Sequence, residues 1–163
     1  MTTDHRDVVR CMIEHMRDRM TYGLEQTPDE RLDWSPHEAA HTPLQVADRC
    51  VMYMSYFAAA VVGEQWGPDS LPPPSATRDE AIARITEACD HAARRVAGLS
   101  EADLARQVPA PWGQSYPVAF MLEGMMMALG YVQGQLNYLQ LSFGDTDPHQ
   151  PPSWSEGTVR TVV

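Results

Sequence analysis

Along the first part of the chain Val9, Ile13, Met16, Met20 and Leu24 fall at helical spacing, with Arg17, Asp18 and Arg19 between them. Residues three and four apart share one side of a helix, so this pattern predicts an amphipathic helix with one apolar face. A second stripe, Val46, Cys50, Met54, Phe57 and Val61, starts behind Thr42-Pro43 and stops at Gly63. Threonine there can cap free backbone N–H groups, and proline at the first helical position loses nothing by lacking one. A third stripe, Ile82, Ile85, Cys89, Ala92 and Val96, follows Thr77 as its cap. The fourth is the richest in apolar residues: from about Pro117 to Ser142 it reads Met121, Met125, Ala128, Val132, Gln135 or Leu136, and Leu139. Of the run Met125-Met126-Met127, only Met125 lies squarely on that stripe.

The segments between the stripes are punctuated by proline and glycine. Thr27-Pro28-Asp29-Glu30 opens a single turn that Trp34-Ser35-Pro36 stops, and Trp66-Gly67-Pro68 through Pro72-Pro73-Pro74 cannot be helical. A brief turn at Ser100–Asp103 precedes the loop Pro109-Ala110-Pro111-Trp112-Gly113. No segment alternates convincingly as a strand. The expectation is an all-α chain forming a single four-helix bundle, with long connectors between helices 1 and 2, 2 and 3, and 3 and 4. The bundle is expected over residues 1–148, followed by a Pro-rich tail, 149–163, of which Trp154 docks a part.

Composition narrows the function. At 163 residues the chain is the length of one domain. Its formal charge is −10, with no basic run, which disfavours nucleic acid and anionic membrane as partners. All 12 basic residues are Arg, so a Schiff-base lysine and a phosphate-loop lysine are excluded. Cys11, Cys50 and Cys89 are odd in number, far apart and set in helical apolar patterns, as reduced core thiols would be. With no apolar leader at the N-terminus, a cytoplasmic protein is expected. No nucleophile elbow and no glycine-rich phosphate loop occurs.

One motif suggests metal chemistry. His37-Glu38-Ala39-Ala40-His41 has the H-E-x-x-H spacing that places two histidines on zinc and a glutamate beside its water when carried on a helix. Here it is penned between Pro36 and Pro43 and lacks apolar flanks, so His37 and His41 are kept only as an alternative metal pair, with Glu64 as a distant third ligand. Solvated histidines, or contacts near the start of the second helix, are the simpler reading.

Thr-Pro-Asp-Glu-Arg-Leu-Asp-Trp-Ser-Pro at 27–36, followed by Thr42-Pro-Leu-Gln-Val-Ala, resembles the linker and second helix of DinB-like proteins. Val108-Pro-Ala-Pro-Trp-Gly113, and a last helix carrying Gly134-Gln135-Leu136 and ending near Phe143-Gly144, resemble the same family. The resemblance, spanning roughly Val8 to Pro148, implies a dimeric bundle holding one divalent metal through a histidine on helix 2 and two histidines one turn apart on helix 4. Several members of that family resemble thiol transferases or hydrolases. Carried onto this chain, the ligand positions fall on Arg49, Ala128 and Val132, none of which has a lone pair to offer a metal.

The resulting expectation is a degenerate metal site, no cofactor, and a bundle pocket for a small, partly apolar or acidic molecule. Arg49 would meet the ligand's charge, Tyr53, Met125, Ala128, Tyr131 and Val132 would wall the pocket, and Gln135 would add a polar group. Metal-independent catalysis remains open. Against this stand a divalent-metal-dependent transferase or hydrolase, and a dimeric scaffold with no ligand. In the plainest alternative Arg49 pairs, at the bundle edge, with a local carboxylate such as Asp48 or with another helix's Glu, while Ala128 and Val132 fill space. A homodimer is expected in each case from the resemblance.

Overall fold

The computed structural model describes residues 4–155. Four long helices carry the architecture: α1 (His5–Gln26), α2 (Pro43–Ala60), α3 (Arg78–Ala97) and α5 (Val118–Ser142). Between α3 and α5 lie a single turn, α4 (Glu101–Leu104), and two short strands, β1 (Gln107–Pro109) and β2 (Ser115–Pro117); α6 (Pro152–Ser155) follows. No helix is long and apolar enough to cross a membrane among the described residues.

The helix starts are capped as the sequence indicates. Thr42 accepts the Gln45 N–H while the Gln45 side chain accepts the Thr42 N–H, closing a reciprocal box ahead of Pro43. Thr77 caps α3 and Asp4 caps α1, each through a side-chain oxygen that accepts one backbone N–H.

Around the bundle α1 packs on α3 and α5, and α2 packs on the same two, so α1 and α2 stand on one diagonal and α3 and α5 on the other. Residues 27–42 must therefore cross one end of the bundle. That connector is tied down by the buried Leu32, whose carbonyl accepts the Leu44 N–H. Val9, Ile13, Met54, Ile85, Met125, Leu129 and Leu136 are among the fully buried side chains of one continuous core.

One expectation needs correction. The loop before the last helix includes a two-stranded antiparallel ribbon, with Val108 opposite Tyr116 and Gly113 turning at φ +88. Each strand is three residues long and ends in a proline, which donates no ladder hydrogen bond, so no alternation is long enough to read.

Pro148 and Trp154 lie back against α1. Trp154 stacks on His15 with ring centroids 3.6 Å apart, Arg19 lies over the same indole, and the Arg19 guanidinium donates to the Pro148 carbonyl.

Candidate functional site

On the side of the bundle where α2 meets α5, Met52, Tyr53, Tyr56 and Phe57 of α2 face Met127, Ala128 and Tyr131 of α5 across a cleft of about 470 Å³. Two connectors close its end: Trp66 comes from the loop after α2, Pro111 and Trp112 from the turn between β1 and β2. Close approach of the two helices depends on Gly124, where a Cβ would sit 3.0 Å from the Phe57 ring. The lining is nearly all aromatic or thioether, the composition of a site for a flat apolar molecule.

A polar cluster borders this cleft. The Arg49 guanidinium donates to Tyr53 Oη at 2.8 Å and to His41 Nε2, and lies 5.7 Å over the Tyr53 ring and 5.5 Å over the Tyr131 ring. Opposite a guanidinium, which cannot accept, the His41 nitrogen can only accept. On the neighbouring helix Gln135 Nε2 donates to Tyr131 Oη at 3.2 Å. Arg49 Nε and Gln135 Oε1 are buried with no hydrogen-bond partner among the described residues. No carboxylate there lies within ion-pair distance of Arg49 either, and none of its contacts carries a formal negative charge.

The pairing of Arg49 with Asp48 is thereby overturned. Adjacent residues on a helix point about 100° apart. Asp48 turns toward the loop before α3, accepting the Ser75 N–H and, at 2.7 Å, the Ser75 hydroxyl.

Of the residues singled out in the sequence, Tyr53, Ala128 and Tyr131 line the cleft, while Arg49 and Gln135 border it through their contacts with those tyrosines. Met125 and Val132 do not line it: both are fully buried in the bundle core. Helical geometry separates them: at about 100° per residue Met125 and Val132 lie roughly 60° and 40° beyond Ala128, on the side away from Tyr131.

The remaining walls were not legible as a site. Trp66 and Trp112 belong to Gly- and Pro-containing loops far apart in sequence, and the only hint is that an indole in such a loop is too apolar to be left in water without reason. Tyr56 packs edge-on against both Phe57 and Trp66. Its hydroxyl and the Trp66 Nε1 are buried without partners, and burial raises the Tyr56 phenol above its usual pKa.

His37 and His41 each have another partner in the structure. Residues 37–41 are turns and bends, not helix; His37 Nδ1 accepts its own loop's Ala39 N–H, and His41 is engaged with Arg49. Glu64 is held by Arg95 in a two-pronged ion pair at 2.7 and 3.0 Å. Among the described residues no three His, Cys, Asp or Glu side chains converge as metal ligands would. The family-implied positions fit a metal no better: Arg49 is a cation, Ala128 a methyl group on the cleft wall, and Val132 a core side chain. The buried Cys89 is pushed well up by its hydrogen bond with Cys50 and then by burial, as befits an unreactive core thiol.

A family model described as the DinB superfamily matches residues 12–130. No curated protein matches the chain.

Proposed function

Because the chain belongs to the DinB superfamily, and because its cleft is lined by aromatic rings beside an unpaired guanidinium, we propose that it is a metal-free member that binds a small, partly apolar carboxylic acid between α2 and α5. Arg49 carries this reading. Its guanidinium is held by two neutral side chains and stacked against two tyrosine rings, with one buried nitrogen left over. A partly buried cation is costly without a counter-charge, and a ligand carboxylate supplies one in the geometry a guanidinium prefers. The rings of Tyr53, Phe57, Trp112 and Tyr131 take the hydrocarbon part. Two further buried donors without partners, Tyr56 Oη and Trp66 Nε1, favour a ligand with a second acceptor atom.

Arg49, Ala128 and Val132, at the family-implied ligand positions, offer no lone pair to a metal. Binding is the part of the activity this geometry supports. Two measurements test the reading. In calorimetric titrations 2-naphthoate should bind more tightly than the uncharged 2-naphthamide, by on the order of tenfold or more. Arg49→Ala should erase that preference while leaving the helical spectrum unchanged. An amide that binds as well as the acid, or a preference that survives Arg49→Ala, would overturn the role of Arg49. Protein purified without chelator and then re-equilibrated with zinc or manganese should retain no stoichiometric ion, and retention of one would overturn the metal-free half.

A further inference from the structure

A second groove, of about 490 Å³, lies between α2, α3 and the connector that joins them, and it shares no lining residue with the aromatic cleft. α3 supplies four polar side chains to it, Arg84, Glu87, His91 and Arg94, at spacings of three, four and three. Residues so spaced fall on one side of a helix, here within about 80° of one another. Ser55 of α2 and Leu71 of the connector stand in the other walls.

The two arginines of this groove differ from the others in the molecule. Arg6, Arg10, Arg17, Arg78, Arg95 and Arg106 each have a carboxylate within ion-pair distance, and Arg19, Arg31 and Arg49 each lie over an aromatic ring. Among the described residues Arg84 and Arg94 alone have neither, although acidic residues outnumber basic ones by 22 to 12. Glu87, between them on the helix, is beyond ion-pair distance of both. Arg84 is nevertheless held in place by neutral groups: its Nη1 donates to the Pro73 carbonyl and, at 3.1 Å, to Ser75 Oγ, which leaves Nε and Nη2 for a ligand. The Asp48 carboxylate stands one hydrogen bond behind, accepting from the Ser75 hydroxyl at 2.7 Å. The middle of the groove is different in kind. Glu87 can only accept, the Ser55 hydroxyl can do both, and His91, whose Nε2 faces Arg95 Nε at 3.3 Å, keeps an Nδ1–H to donate.

We propose that this groove is a second binding site, for a small molecule with a carboxylate at each end and hydroxyl groups between them, an open-chain sugar diacid. Arg84 and Arg94 take the two ends. Ten residues of helix set them about 15 Å apart along the axis, roughly the span of a six-carbon diacid with a charge-assisted hydrogen bond at either end. A guanidinium fork matches a carboxylate in shape as well as in charge. Glu87, Ser55 and His91 then meet the hydroxyls, accepting from some and donating to others. A sugar bisphosphate is a poorer fit, because it brings about four negative charges to two arginines already offset by Glu87, on a strongly acidic chain. The site stands apart from the cleft and does not depend on the role proposed for Arg49.

Calorimetric titration of the full chain tests it, with D-glucarate as the probe, D-gluconate as the analogue with one carboxylate and D-glucitol as the analogue with none. Glucarate should bind on the order of tenfold more tightly than gluconate, and glucitol more weakly than either. Arg94 is exposed, so Arg94→Gln should leave the helical spectrum unchanged while reducing glucarate to the affinity of gluconate. Gluconate binding as tightly as glucarate, a preference that survives Arg94→Gln, or no saturable glucarate binding at millimolar concentration would each overturn the site. Tighter binding of fructose 1,6-bisphosphate than of glucarate, with the same dependence on Arg94, would overturn the diacid in favour of a phosphate ligand. Arg49→Ala should leave glucarate affinity within about twofold. Loss of glucarate binding in that variant would place the diacid in the aromatic cleft and overturn the second site.

Discussion

The two faces of α5 are made of similar residues and meet different surroundings. Inward it presents Met121, Leu122, Met125, Leu129, Val132, Leu136 and Leu139, all buried; outward it presents Phe120, Met127, Tyr131, Tyr138 and Leu141, all exposed. Most surface helices distinguish the two sides by polarity, and α3 does, with Arg78, Asp79, Glu80, Arg94 and Arg95 at its ends and a narrow Ile85-Cys89-Ala92-Val96 stripe. α5 has much less of that asymmetry, since large apolar side chains stand on its outer face as well as its inner one. What separates its faces is burial: the inner one is packed in the core and the outer one is exposed.

The sharpest way to break the comparison is truncation of one leucine on each face. Leu136→Ala removes a fully buried side chain and should lower urea-unfolding stability by about 2–5 kcal/mol. Leu141→Ala, 59% exposed, should stay within about 0.5 kcal/mol in dilute protein. Equal losses would mean that the outer face is packed after all.

Glycine to alanine gives a smaller contrast with opposite signs. Gly23 sits where α1 meets the inner face, and a Cβ there would come within 3.1 Å of Leu136 Cδ2. Its carbonyl also accepts from Gln140 and Thr27. Gly23→Ala should therefore cost about 1–2 kcal/mol net of its helix-propensity gain. Gly130→Ala on the open face should instead stabilise the dilute monomer by about 0.5–1 kcal/mol, read from the same unfolding curves.

The smallest effect expected is acid sensitivity, and it should come from outside α5, whose single carboxylate is Glu123. Asp4, capping α1, is lowered from 3.8 to about 2, chiefly by hydrogen bonding from Arg6. A carboxyl depressed in the fold contributes stability that is fully present above its unfolded value and disappears as pH falls through the folded one. Melting curves of wild type and Asp4→Asn should accordingly converge between about pH 4 and pH 2, and parallel curves across that window would remove Asp4 as a source of acid sensitivity.

Much of the bundle could be read directly. Thr42-Pro43 and Thr77 announced their helices because capping is a local matter between neighbouring residues, and Val46, Cys50, Met54, Phe57 and Val61 all proved buried because period and burial agree on an amphipathic helix. On α5 the same reasoning weakened: Met121, Met125, Val132, Leu136 and Leu139 turned inward as the stripe indicated, but Ala128 and Gln135 fell to the side, since a helix with apolar residues on both faces leaves the exact arc open. The β ribbon escaped notice for want of length. The cleft escaped for a different reason: Trp66, Trp112 and His41 reach it from separate connectors, with no spacing to relate them.

The sequence by itself determined four helices, the Thr42 and Thr77 caps of two of them, the family resemblance, and the absence of histidine at the three positions where that resemblance puts metal ligands. Those properties are written in residue identity and in periods of three and four, which a chain carries whether or not it is folded. Tertiary structure alone decided that Asp48 turns to Ser75 and leaves Arg49 without a counter-charge among the described residues, that two loop tryptophans and two helices share one cleft, and which side of α5 is exposed. Each of those depends on where distant segments come to lie once the core has closed, and no local pattern encodes that distance.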